Sequence, residues 1–296
     1  MIDLSKEKFC IWGFHNPPYD TFKHIHEAFY RALKYSGKKV LWLDAKDDTS
    51  QIDFSDTFFI TMNIVVGREI NSIPLRRDCY YAVHNNIQTG RERFEGLDFL
   101  PYGVQLAGKP DHEPGYTSVN MPWATDLLPH EIEANKPSKI FKSDSKVVNY
   151  VGTIWEANRR ETADFDRACG ENGILFRQIR GGVSIEENVR LIKESYLAPA
   201  IIGSGHPVGY IPCRAMKNLS YGSYPITNSS YINDFFDGRL IYNPDPYKLF
   251  FDAREQLSYI PLRTLHSLMD YVSENHTYLN RIERLLEGAR FRLENK

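Results

Sequence analysis

The chain lacks most of the features that would settle its chemistry at once. Four cysteines, Cys10, Cys79, Cys169 and Cys213, stand far apart among 296 residues. No Cys-x-x-Cys occurs, which leaves a cysteine-built zinc site unsupported. Few and scattered thiols suit a reducing compartment. No run is long and apolar enough to span a bilayer, and the start, Met-Ile-Asp-Leu-Ser-Lys-Glu-Lys, lacks the apolar stretch of a secretory signal. The expectation is a soluble, cytoplasmic protein, in which the sequons at Asn218, Asn228 and Asn275 carry no meaning. Neither sign of charge is in excess: 36 basic and 38 acidic residues leave a net charge of −2. Such a balance argues against duplex nucleic acid as a partner. No Gly-x-Gly-x-x-Gly follows the first strand-like run, so a dinucleotide-dependent dehydrogenase is disfavoured.

Aromatic residues are plentiful, with 18 Tyr and 17 Phe. Packing accounts for them in general, and sugar-stacking platforms are the sharper alternative. The apolar pattern alternates between short runs and helical spacing. Phe9–Trp12, Val40–Leu43, Thr57–Met62 and Tyr80–Val83 read as strands. Phe22, Ile25, Phe29 and Leu33 mark a helix that stops at Gly37. The stretch from Gly90 to Pro129 reads as short strands and loops, and Asn135–Asp144 as a polar linker. The pattern then restarts with a strand at Val147–Val151, a helix from Arg159, and a strand at Ile174–Ile179. Next comes a helix at Ser184–Glu194, with Ser184 as N-cap and Glu187 at the capping-box position. Leu197–Ile202, Ile211–Tyr221 and Tyr224–Thr227 follow as strand, helix, strand; Leu240–Tyr242 and Tyr247–Leu257 add a strand and a helix. From Pro261 an apolar stripe, Leu262 to Ala289, predicts a long helix with Asn275 as the point where it would break. Such alternation predicts two α/β domains in tandem, each a doubly wound parallel sheet.

Chemistry concentrates at the predicted carboxyl ends of strands, where such folds bind ligands. Between Ile201 and Asn228 a loop with Gly203, Gly205 and Gly209 opens a helix that carries Arg214 and Lys217. Free backbone N–H groups at a helix start, joined by cations, suit a phosphate or diphosphate. A second loop, Gly152-Thr153-Ile-Trp-Glu-Ala-Asn-Arg159-Arg160, ends the first strand of the second domain and offers guanidinium groups to the same ligand. In the first domain His15 follows the first strand and His84 the fourth. His15 is the better proton acceptor, because Asp20 in the same turn fits an N-cap. Asp164 and Asp166 lie along one helix without facing a common ligand, and Asp245 sits in a proline-rich turn. No essential metal is expected.

Two segments resemble known families. His206-Pro-Val-Gly-Tyr-Ile-Pro-Cys-Arg214-Ala-Met is similar to the donor segment Glu-Pro-Phe-Gly…Glu-Ala-Met of retaining glycosyltransferases of the GT-B fold. Arg214 to Gly222 followed by Tyr-Pro-Ile-Thr, and Asn275-His-Thr-Tyr-Leu-Asn-Arg281, resemble the spore-maturation glycosyltransferase-like family. The likeness covers roughly 147–286; the first domain matches in layout only. Where the retaining enzymes carry two acidic residues, this chain has His206 and Arg214. Where the spore-maturation group has an acidic residue for the ribose, it has Lys217. The resemblance implies two Rossmann-like domains facing across a cleft. An acceptor-side domain would cover 1–140 and a donor domain 141–260, with a C-terminal helix over 261–296 packing back on the first domain.

It further implies metal-independent transfer of a sugar from a nucleoside-diphosphate sugar, a co-substrate rather than a cofactor, to a glycan or other hydroxyl acceptor. The donor set is then Gly152, Thr153, Arg159, Arg160, Gly205, His206, Gly209, Arg214 and Lys217, with His15 and His84 on the acceptor side. A sugar-nucleotide epimerase or hydrolase of the same shape, or a degenerate nucleotide- or glycan-binding scaffold, are the alternatives. The base, the sugar, the acceptor and the anomeric outcome stay open.

Overall fold

The computed structural model describes residues 8–16, 21–62, 72–84, 94–104, 106–180 and 182–295. Asp20, and Asn85 and Asn86 beyond His84, lie outside them. The fold is mixed α/β and Rossmann-like. The chain divides into two compact units. The first comprises Met1–Gln105, Lys109–Pro122 and Tyr278–Lys296; the second comprises Leu106–Gly108 and Trp123–Thr277.

Unit 1 is built on β1 (Lys8–Trp12), α1 (Thr21–Tyr35), β2 (Lys39–Leu43), β3 (Thr57–Met62), β4 (Tyr80–His84), β5 (Asp98–Val104) and β6 (Val119–Met121). The strands form one sheet in the order β2-β1-β3-β4-β5-β6, every pair parallel. β3 and β4 are buried along their whole length, as strands covered on both faces must be, which is why Thr-Phe-Phe-Ile-Thr-Met reads as a continuous apolar run rather than an alternating one. Aromatics knit neighbouring strands: Phe58 stacks on Tyr80 at 5.3 Å and Phe59 on Tyr81 at 5.2 Å, each pair within 10° of parallel. Much of the chain's aromatic content is therefore core. α1 buries Ile25, Ala28, Phe29, Ala32 and Leu33 on one face, and Gly37 beyond it takes a left-handed φ of 73°.

Unit 2 continues with α2 (Pro129–Ala134), β7 (Val147–Val151), α3 (Arg159–Glu171), β8 (Leu175–Ile179), α4 (Ile185–Glu194), β9 (Ala198–Ala200), α5 (Cys213–Ser220), β10 (Pro225–Thr227), α6 (Ser230–Phe235), β11 (Ile241–Tyr242), α7 (Pro246–Gln256) and α8 (Leu262–Asn275). β7 pairs with β8, and β9, β10 and β11 form a second parallel group. The lead into β9 runs beside β7: the Tyr196 amide donates to Val147 O at 2.7 Å, and the Asn149 amide to Ser195 Oγ at 2.9 Å. Ser184 caps α4 by accepting the Glu187 amide, as its position predicts. The Glu187 carboxylate takes Arg190 instead of closing a capping box.

The tail is two helices that part just after Asn275, the point at which the sequence placed a break. α8 ends at Asn275 in unit 2, and α9 (Tyr278–Glu294) belongs to unit 1. The break is at His276–Thr277, where backbone pairing replaces helix: the Thr125 amide donates to His276 O at 3.0 Å, and Thr277 bridges Thr125. Residues 123–140, which the sequence reading placed in the first domain, lie in unit 2. Asp126 accounts for it. Its carboxylate accepts both Lys217 Nζ and the Tyr221 hydroxyl at 2.6 Å, so the segment is held to α5. Arg281, the last residue of the His-Thr-Tyr segment, is buried in unit 1 and its Nε donates to Pro122 O at 2.7 Å.

Candidate functional site

The carboxyl end of β7 is where Arg214 is held. β7 alternates Val148, Asn149, Tyr150, and the Tyr150 side chain is buried beside Phe176. Over its ring lies the Arg214 guanidinium, 3.8 Å from the centroid, delivered by the first turn of α5. Nη1 of Arg214 donates to the Tyr150 hydroxyl at 2.5 Å, and Nη2 to Val151 O at 3.3 Å. Its Nε is buried and has no hydrogen-bond partner among the described residues. Gly152 makes room for this. At φ 139° it occupies the left-handed side of the map, and a Cβ there would stand 2.3 Å from Arg214 Nη2.

Arg159 and Arg160, at the start of α3, are exposed and form no ion pair among the described residues. Arg180, which the sequence reading passed over, follows β8 directly and is exposed at the same edge. The signal was available: β8 is parallel to β7, so residues just past both strands share an edge. Glu161, on α3, accepts the Ser204 amide at 3.1 Å. Thr153 is exposed beside Gly152.

The glycine loop does a different job from the one expected of it. A Cβ on Gly203 would lie 1.9 Å from Ala157 O, and one on Gly205 2.6 Å from Ala157 Cα. The Gly205 amide donates to Ala157 O at 3.1 Å. These glycines let the loop press against the 155–158 turn. Gly209 packs in the same way on Ala107, whose amide donates to Gly209 O at 2.8 Å. His206 is half-buried, stacked flat on Tyr210 at 5.3 Å with Trp155 edge-on at 5.8 Å.

Lys217 is placed otherwise than predicted. Its ammonium forms an ion pair at 2.6 Å with Asp126, and their side chains are 16% and 1% exposed. Burial pulls the lysine pKa down, and the Asp126 carboxylate outweighs this and holds it above the ordinary value. Its charge is thus matched within the fold. Asp126 is far away in sequence, and no local pattern marks it.

In unit 1, His15 leaves β1 through Gly13 and Phe14, and Phe14 itself has a left-handed φ of 57°. His15 Nδ1 lies 2.9 Å from one Asp47 oxygen and 3.2 Å from the other, with the ring against Trp42 at 5.2 Å. Burial raises the Asp47 pKa, but the Asp44 amide and His15 outweigh it and keep the carboxyl below its usual range. An ionised Asp47 accepts, so Nδ1 carries a hydrogen, and in the neutral imidazole Nε2 holds the lone pair. Asp47 was missed, although it follows β2, the parallel neighbour of β1. Buried Asp44 completes the turn by accepting the Asn16 side-chain amide at 3.0 Å and the Lys46 backbone amide at 2.9 Å.

His84 is 7% exposed at the end of β4, edge-on to Tyr102 at 5.1 Å. Burial, with nearby His26, lowers its pKa to about 3. Its surroundings are those of a core histidine, and they differ from the half-open setting of His15. Among the described residues no group of three or more His, Cys, Asp or Glu side chains converges on a position for a metal ion.

No family model matches the chain, and no curated protein matches it significantly. The resemblance to the spore-maturation family accordingly rests on the motif residues alone. Among solved structures, the N-terminal domain of the Candida albicans trehalose-6-phosphate phosphatase is similar, with a TM-score of 0.50 and 9% sequence identity over 95% of this chain and 96% of that chain. At that identity the likeness is one of fold. A LacI family transcriptional regulator from Bifidobacterium animalis subsp. lactis aligns over 90% of this chain and 91% of its own at 13% identity. Its TM-score of 0.21 carries no argument. No helix among the described residues is long and apolar enough to cross a membrane.

Proposed function

We propose that the protein is a metal-independent glycosyltransferase of GT-B organisation that moves a sugar from a nucleoside-diphosphate sugar to a hydroxyl acceptor such as a glycan. In this reading unit 2 takes the donor and unit 1 the acceptor. The observation that carries it is Arg214, held over the Tyr150 ring at the glycine that ends β7, with Arg180 exposed just past β8 and Arg159 and Arg160 exposed at the start of α3, none of the three in an ion pair among the described residues. Such a cluster suits a leaving diphosphate, whose charge grows as the bond to the sugar breaks. The name of the phosphatase domain with the similar fold belongs to sugar-phosphate chemistry, which is compatible but weighs little at 9% identity.

The step balances without a metal. The acceptor hydroxyl gives its proton to a general base, for which His15 Nε2 is the candidate on unit 1, while its oxygen bonds to the anomeric carbon. The bond from that carbon to the diphosphate oxygen breaks, and the electron pair leaves with the phosphate. Asp47 steadies the imidazolium that forms. A single displacement assisted by a base inverts the anomeric centre. The test is incubation with a panel of nucleoside-diphosphate sugars, with and without glycan acceptors, followed by mass spectrometry and NMR of the product. Transfer with inversion is expected. Turnover without acceptor would point to an epimerase or hydrolase, and binding without turnover to a scaffold.

A further inference from the structure

Trp155 is unassigned by anything above. It is 52% exposed, and its ring meets that of His206 at 5.8 Å, 83° from coplanar. Lone exposed aromatics are ordinary, but this one is tied to the arginine site by a continuous set of bonds. The Trp155 amide donates to Asn158 Oδ1 at 3.0 Å. Asn158 Nδ2 donates to the Tyr150 hydroxyl at 3.2 Å, the same oxygen that accepts from Arg214 Nη1. Asn158 and Tyr150 are 3% and 1% exposed, so the relay is internal and rigid. Gly203 and Gly205 clamp the turn from the other side through Ala157. His206, stacked on Tyr210, lies perpendicular to the indole, and 52% of Trp155 is left exposed. The hydrogen bond that anchors the turn comes from the Trp155 backbone amide and not from the indole. A half-exposed ring on a turn that is hydrogen-bonded to the residue beneath a guanidinium is what a ligand with a phosphate and a ring needs.

We propose that Trp155 is a stacking platform for a ring carried on the phosphate ligand of the Arg214 site. The inference rests on the reading of that site as a phosphate site. Base and sugar rings share the chemistry of a flat face against an indole, and stacking tolerates either. Wild type, Trp155→Ala, Trp155→Phe and Arg214→Ala are titrated calorimetrically with inorganic pyrophosphate, UDP, GDP and UDP-glucose, with thermal unfolding as the control for folding.

Arg214→Ala should weaken all four ligands. Trp155→Ala should leave pyrophosphate unchanged and weaken the ring-bearing ligands about ten-fold, with Trp155→Phe recovering most of the loss. Loss on UDP and GDP assigns the base; loss confined to UDP-glucose assigns the sugar. If Trp155→Ala changes no ligand, or weakens pyrophosphate as much as the others, the platform is refuted while the phosphate site stands. If wild type binds none of the four, the phosphate reading fails and the platform with it.

Discussion

At the scale of single residues, the assignment turns on how each cation is held. Arg214 is stacked and forked, and lysine cannot reproduce that geometry. Arg214→Ala should raise the barrier by about 2–4 kcal/mol, and Arg214→Lys should recover little of it, as read from kcat/KM with the active donor. Lys217 is different, because its partner is internal. Breaking a buried pair leaves an uncompensated charge, so Lys217→Met should destabilise the fold by about 3–5 kcal/mol. Adding Asp126→Leu should restore part of that loss in denaturant unfolding. On unit 1, His15→Ala should lower turnover by about 10²–10⁴ while nucleotide affinity stays constant, and Asp47→Asn should act in the same direction by loosening the tautomer. Equal loss of affinity and turnover would remove His15 from the chemistry.

At the scale of elements, strand ends and the turns beyond them decide what is presented. The rhythm of strand, helix, strand was legible from apolar spacing, and Thr57–Met62 runs as its composition predicts. The role of the glycines was not. Glycine tolerates close approach of any neighbour, and nothing in Gly203-Ser-Gly205 says whether that neighbour is a phosphate or Ala157 O. Gly203→Ala should therefore cost about 1–3 kcal/mol of stability, measured by thermal unfolding, since the collision is with backbone. The break between α8 and α9 was also only half legible. The apolar stripe continues through Asn275 without interruption, and the pairing of Thr277 with Thr125 comes from a distant part of the chain.

At the scale of the whole molecule, unit 1 contains two buried histidines whose protonation opposes folding. The Gly13 carbonyl accepts both Trp42 Nε1 and His26 Nδ1, so Nδ1 of His26 carries a proton. Burial lowers its pKa to about 4, and that of His84 to about 3. Both lie below the unfolded value near 6.5, so between those limits the unfolded chain binds more protons. Stability is full above about pH 6.5 and falls as the pH drops towards 4, by about 3 kcal/mol for His26 alone. Denaturant midpoints between pH 4.5 and 7.5 measure this, and His26→Phe should flatten the slope. Activity, for its part, should survive EDTA, because the guanidinium groups carry the charge a metal would otherwise supply.

The sequence by itself determined the α/β class, the order and approximate bounds of most elements, and the presence of cationic loops after strands. These follow from local periodicity and from turn residues, which act over a few positions. Tertiary structure alone decided what each cation is bonded to. Arg214 and Lys217 sit one turn apart on α5 and are equivalent as sequence, yet one stacks on Tyr150 at a strand end and the other is neutralised by Asp126. Likewise His15 acquired Asp47 and His84 acquired a buried setting, although both simply follow strands. Electrostatics depends on through-space distance and burial, and neither is a function of separation along the chain.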